Sequence, residues 1–298
     1  MGRTKNSTLV ERARKTVPGF DSMYKKLEKK VKLSGLSSST LLNYGRSIAK
    51  IALHFGKPPL ELEEETINDY LLELKAGEQP SESYFKHTVY GLRYLFRLFG
   101  REDQAIKLPP LRRKNQLPVV LSRAECRRLF CTPKLLKHRI MLALTYSAGL
   151  RLGELIALRL EDIDSDRMQI RIRQGKGNKD RYVVLSDFIL QGLRKYFRAC
   201  HPKTYLFNGQ KKGQPMGKRS VQWIMRSTVR QAGIKKPVSL HTLRHSFATH
   251  LIEDGVDLFT VKEQLGHARI ETTLRYIHVA RQVKRTDVHS PLDTLYRA

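Results

Sequence analysis

SLHTLRHSFATHLIEDG, residues 239–255, reads as one helix with a charged end. Ser239 is a good N-cap and Gly255 a good residue for the position after the last turn. Leu240, Leu243, Phe247 and Leu251 recur at helical spacing and form a stripe for burial. His241 and Arg244 lie three apart and share a neighbouring face. Two cationic donors on one turn near a helix N-terminus make an anion site. His245 follows His241 at i+4, which invites a zinc reading. That reading is weak, because position 242 is Thr where a zinc hydrolase needs Glu and no third ligand is evident.

Downstream, LGHARIETTLRYIHV (residues 265–279) places Gly266 and His267 after a helix that begins near Asp257. Thr272 or Thr273 starts a further helix over about 271–279 that carries Tyr276, so the nine-residue step can bring His267 and Tyr276 together across a turn. Alone, Tyr276 between Leu274 and Ile277 reads as a half-buried core tyrosine. Upstream, Arg151 in SAGLRLGEL would by itself be a surface arginine. MQIRIR (168–173) alternates with period two and meets RYVVL (181–185) across QGKGNKD, a β-hairpin with Lys176 at its tip and Lys179 close by. Basic tips flanked by Gly often touch only phosphate or solvent. Around these, Ser122 caps SRAECRRLF, HRIMLALTYSAG is a strongly apolar helix, and further helices are expected at about 186–199, 218–232 and 257–265.

The first part of the chain has a different texture. Residues 1–17 are polar and basic without periodicity and read as an arm. FDSMYKKLEKKVKL (20–33) is a basic amphipathic helix. A second helix, capped by Ser38 or Ser39 and stopped by Gly56, carries Leu41, Tyr44, Ile48, Ile51 and Phe55 on one stripe. A third over about 64–75 has acidic residues at its dipole-positive end. A fourth from Ser81 to Phe99 turns Phe85, Val89, Leu92 and Phe96 inward and Lys86, Arg93 and Arg97 outward. LPPLRRKNQLP (108–118), with three prolines and the triplet Arg112, Arg113 and Lys114, suits an extended linker. The division expected is therefore an arm at 1–17, a helical unit at 18–107, a linker at 108–118, a second domain at 119–281 and a tail at 282–298.

With 298 residues, two domains are the natural expectation. Lys and Arg number 56 against 28 Asp and Glu, a net charge of +28 that implies a polyanionic partner. The surplus is uneven: 19 basic against 13 acidic side chains in residues 1–110, and 37 against 15 in residues 111–298. The second part is the main polyanion-binding body. Arg46, Lys50, Lys86, Arg93, Arg97, Arg112, Arg113, Lys114, Lys179 and Arg181 are the candidate contacts to that partner, nucleic acid or an acidic membrane surface. No run of eighteen apolar residues spans a bilayer, and no helix joins a basic face to a large exposed apolar one. The first residues lack the apolar core of a signal peptide. Cys126, Cys131 and Cys200 show no metal-ligand spacing, which fits a reducing cytoplasm.

Taken together the blocks AGLRLGELIALRLEDID, GKGNKDR, HTLRHSFATHL and QLGHARIETTLRYIH, in this order, resemble the phage-integrase or tyrosine recombinase family, in its two-domain Xer-like form. The resemblance implies a mostly helical α+β fold: an all-α core-binding, SAM-like domain followed by a catalytic domain with a small antiparallel sheet. It implies Tyr276 as nucleophile, Arg151 and Arg244 as phosphate clamp, Lys176 as general acid, with Lys179 an alternative, His241 as general base and His267 as a hydrogen bond to the phosphate. It further implies double-stranded DNA carrying a recombination site as partner, a tetramer on two sites built from monomers, location at the nucleoid in the cytoplasm, and no metal, ATP or other cofactor. Integration, excision, inversion, dimer resolution and transposition share this core. A type IB topoisomerase and a DNA-binding module without catalysis are the competing readings.

Overall fold

A computed structural model describes residues 8–76, 82–109, 117–173, 180–210 and 213–280. The chain forms two compact units, residues 1–114 and 115–298. The first is helical: α1 (Leu9–Thr16), α2 (Phe20–Leu33), α3 (Ser38–Phe55), α4 (Glu64–Ala76), α5 (Glu82–Leu98) and α6 (Glu102–Lys107). One cluster joins Ala13, Phe20, Leu27, Ile48 and Leu95, and a second joins Ile51, Ile67, Tyr70, Leu92 and Phe96. α5 packs closely on α3 at Gly91, where a Cβ would meet the Tyr44 Cα at 3.4 Å, an ordinary contact.

Two local expectations need correction. Residues 8–17 are not an arm: Thr8 and Glu11 form a reciprocal capping box, and α1 buries Ala13 in the core. The cap of α3 is Ser37 rather than Ser38 or Ser39, because it is the Ser37 hydroxyl that accepts from the Thr40 amide. A further short helix, α6, follows Gly100 in a stretch to which the sequence reading assigned no element. Residues 110–116, within the expected linker, lie outside the described residues.

The second unit is built around α8 (Leu136–Ser147), buried continuously from Ile140 to Thr145 and therefore apolar all round. Packed on it are α7 (Arg123–Cys131), α9 (Leu152–Ala157), α10 (Asp187–Cys200) and α12 (Leu240–Glu253). α7 opens with a Ser122–Glu125 capping box. A three-stranded antiparallel sheet runs β1 (Ile163–Asp164), β2 (Gln169–Ile172), β3 (Arg181–Val184). The expected hairpin is β2–β3, with Ile170 opposite Val183 and Ile172 opposite Arg181. Ile170, Ile172 and Val183 face the core while Tyr182 and Val184 face out, which is the period-two pattern. β1 was not legible: Asp164 turns the chain by accepting from the Asp166 and Arg167 amides. α11 (Lys218–Gln231), α13 (Leu258–Leu265) and α14 (Glu271–Leu274) complete the unit. The helix expected over 271–279 stops at Leu274, and Tyr276 lies in the hydrogen-bonded turns that follow.

Candidate active site

α12 starts as the sequence indicated, with Ser239 and Thr242 capping each other. Its first two turns deliver His241, Arg244 and His245. Arg244 is fully buried, a costly place for a guanidinium unless donors and charge are satisfied. Nη1 donates to the Gly149 carbonyl at 2.6 Å, Nη2 donates to the Leu265 carbonyl, and Nε has no protein partner among the described residues. Gly149 takes a left-handed conformation, φ +58°, and a Cβ there would lie 2.6 Å from the Phe247 ring. Only glycine turns that carbonyl toward Arg244 without a clash.

Arg151 sits at the N-cap of α9. Nη1 pairs with Glu154 at 2.7 Å and Nη2 donates to the Gly266 carbonyl at 3.1 Å. Arg181, from β3, grips the same carboxylate with both terminal nitrogens at 2.8 and 2.9 Å, and its Nε donates to the Gln264 carbonyl. Burial alone would raise the Glu154 carboxyl. Hydrogen bonds from Arg181 and the Arg151 backbone overcome that and hold it at about 2. A pattern emerges at the C-terminus of α13. Three successive carbonyls, Gln264, Leu265 and Gly266, receive Arg181, Arg244 and Arg151 in turn. Those carbonyls lack intrahelical partners and carry the negative end of the helix dipole, so they hold a cluster of cations that would otherwise repel.

Tyr276 is 1% exposed. Its hydroxyl lies 2.9 Å from His245 Nδ1, and the His267 ring stacks beside it with centroids 6.2 Å apart. Burial raises the phenol above its ordinary value, and Arg244, Arg275 and Arg151 pull the other way. His267 is fixed by Thr273, whose hydroxyl lies 2.9 Å from Nδ1. Burial, reinforced by Arg244 and Arg151, pushes His267 down to about 3. Burial and then His241, Arg275 and Arg244 do the same to His245, also to about 3. Packing against protein likewise lowers His241, with Arg244, Arg151 and Arg275 adding to it. The His241 side chain stays open to a cleft of about 660 Å³ lined also by Arg151, Gln222, Arg226 and Ser239.

The structure thus brings together Arg151, His241, Arg244, His267 and Tyr276. Lys176 and Lys179 lie outside the described residues. Glu154, His245 and Thr273 were missed as site residues. Each had a faint signal: Glu154 is three residues after Arg151, His245 four after His241, and Thr273 three before Tyr276. Of the candidate DNA contacts, Arg46 and Lys50 are exposed on α3, with the Lys50 ammonium 5.1 Å above the Tyr84 ring. Lys86 pairs with Glu82 at 2.8 Å, and Arg97 is exposed. Two are placed differently from expectation. Arg181 is committed to Glu154, and Arg93 donates to the Leu108 and Pro109 carbonyls, which need donors beyond the end of α6. Arg112, Arg113 and Lys114 lie outside the described residues. No helix among the described residues is long and apolar enough to cross a membrane.

Residues 115–283 match the phage integrase family, and residues 23–106 match the phage integrase N-terminal SAM-like domain. The y4qK protein of Sinorhizobium fredii is 35% identical over 274 residues, covering 91% of this chain and 89% of its own length. The tyrosine recombinase of Thermosipho africanus is 35% identical over 263 residues, 83% of this chain and 91% of that protein. Among solved structures, the XerH site-specific recombinase bound to palindromic difH substrate in a post-cleavage complex shares the fold, with a TM-score of 0.70 at 21% identity over 92% of this chain and 91% of that one. The family and fold implied by the motif blocks are borne out. Matched over more than half its length by the family and along nine-tenths of it by a relative, this chain belongs to the phage integrase family and is a tyrosine-type site-specific recombinase, an enzyme that breaks and rejoins DNA strands.

Proposed function

We propose that Tyr276 is the nucleophile, that Arg151 and Arg244 bind the scissile phosphate, and that His241, His267 and Lys176 serve as general base, phosphate hydrogen bond and general acid. The observation that carries this reading is the pocket around Tyr276: a buried phenol ringed by Arg244, Arg275 and Arg151, with two neutral histidines against it. A phosphodiester is anionic, and two guanidiniums can bind its non-bridging oxygens and stabilise the added charge of the pentavalent transition state. Ionising a free phenol at pH 7 costs roughly 4 kcal/mol, which the cationic pocket offsets.

In this scheme the Tyr276 oxygen attacks phosphorus and its proton passes to His241. The bond to the 5′-oxygen breaks, and that oxygen takes a proton from Lys176. The 3′-phosphotyrosine keeps the bond energy, so a different 5′-hydroxyl can reverse the step without an energy source. Double-stranded DNA with a recombination site is the substrate. Pairing of two such sites by four protomers is the assembly that exchange of strands requires.

The test is trapping on DNA. Incubation with duplexes from the regions flanking the gene should yield a covalent protein–DNA adduct at discrete positions, at the 3′ side of the break. Tyr276→Phe should abolish it. An adduct of equal yield from Tyr276→Phe sinks the nucleophile assignment, and relaxation of any plasmid without preferred positions would indicate a topoisomerase.

A further inference from the structure

The hydroxyl that must attack DNA is hydrogen-bonded to a group other than His241, the proposed base. It is held by His245, whose Nδ1 lies 2.9 Å from the Tyr276 oxygen, with the two ring centroids 5.5 Å apart. Arg151 and His241 line the open cleft, whereas Tyr276 is 1% exposed and is not among its lining residues. We propose that His245 is a positioning residue for strand cleavage: its imidazole holds the Tyr276 hydroxyl retracted and protonated until bound DNA draws the phenol toward the phosphate. This rests on Tyr276 being the nucleophile.

The direction of the effect follows from the surroundings. His245 is faced by His241 and Arg244 from its own helix and by Arg275 and Tyr276 from the segment after α14, while His267 flanks the phenol on another side. The His241 ring packs edge-on against His245 at 4.2 Å between centroids. In this cationic setting His245 is a neutral imidazole at pH 7, well below its ordinary value, and the phenol stands above its own. A proton placed between such partners stays on oxygen. The contact is therefore a neutral hydrogen bond from phenol to imidazole, a restraint on the nucleophile rather than a deprotonation. Losing one such bond shifts an equilibrium roughly two- to tenfold.

Two measurements on the full chain test this, using His245→Phe, which cannot accept, and His245→Asn, whose amide can stand where Nδ1 stood. In the free protein labelled with 13Cζ-tyrosine, Tyr276→Phe identifies the resonance of Tyr276. His245→Phe should move that resonance, and His245→Asn should return it toward the wild-type position. An unmoved resonance in His245→Phe overturns the contact. In single-turnover cleavage of a nicked duplex carrying the mapped site, at saturating DNA, His245→Phe should cleave about two- to tenfold faster than wild type and His245→Asn at the wild-type rate. Equal or slower cleavage by a folded His245→Phe overturns the restraint, and complete loss would make His245 the base instead. An adduct formed by Tyr276→Phe would remove the nucleophile reading while leaving the spectroscopic result to decide the contact alone.

Discussion

At the scale of single residues, the site is dominated by guanidiniums anchored by protein acceptors. Arg244 bridges two main-chain carbonyls, and its Nε has no partner among the described residues. A lysine keeps the charge but cannot bridge both carbonyls and a phosphate, so Arg244→Lys should lower the single-turnover cleavage rate by about 10²–10³, the effect of losing one transition-state donor. A variant within threefold of wild type would refute the clamp. The histidines make a second prediction, about pH. His245 and His267 are held at about 3, below the unfolded value near 6.5, so the unfolded chain binds more protons between those limits. Their contribution to stability is present above about pH 6.5 and is lost as pH falls toward 3. Melting between pH 7 and 5 should show stability falling by up to about 1.4 kcal/mol per pH unit for each, and the double variant His245→Asn, His267→Gln should flatten that slope. Five of the six residues implied by the motif order could be placed, and those five gather at one site. Glu154 escaped notice because an acid in the first turn of a helix is ordinary, and only the structure shows two arginines on it.

Among the elements, α12 was legible because cap, stripe and stop all agree, and Ser239→Ala should cost roughly 1 kcal/mol in urea unfolding by removing the cap. α2 matched on its amphipathic spacing alone, since Gly19 before it offers no side-chain cap. α1 was hidden in a basic run, its Thr8–Glu11 box too short to stand out. The end of α14 was misjudged because the apolar spacing continues past Leu274 while the backbone does not. What no pattern could reveal is the α13 terminus, since a carbonyl that accepts from a distant arginine leaves no mark on the identity of its residue. Gly149 is the visible trace of that arrangement on the α8 side. Gly149→Ala must resolve an overlap with Phe247 and strain a left-handed backbone, so it should destabilise by about 1–3 kcal/mol and reduce cleavage by displacing the carbonyl that holds Arg244. Unchanged melting and cleavage together would show that the carbonyl is dispensable.

For the molecule as a whole, the charge excess is the property read most directly from composition, and it determines how DNA affinity responds to salt. A protein that neutralises six to ten phosphates loses about 10³–10⁵ in affinity between 50 and 200 mM salt, and this chain should behave so in a titration across that range. Replacing exposed Arg46 or Lys50 by Ala should make the log–log slope shallower by about one each if that side chain meets a phosphate. An unchanged slope removes that residue from the interface. The second unit contains a further constraint, on the length of the chain itself. One residue added within α13 turns everything after it by about 100°. The carbonyls of Gln264, Leu265 and Gly266 would swing away together, and Arg181, Arg244 and Arg151 would be dismounted in a single event. The stretch from Asp257 to Gly266 is thus a fixed-length ruler that tolerates replacement far better than insertion or deletion, whereas the exposed turn Ser165–Arg167 can lengthen with little consequence.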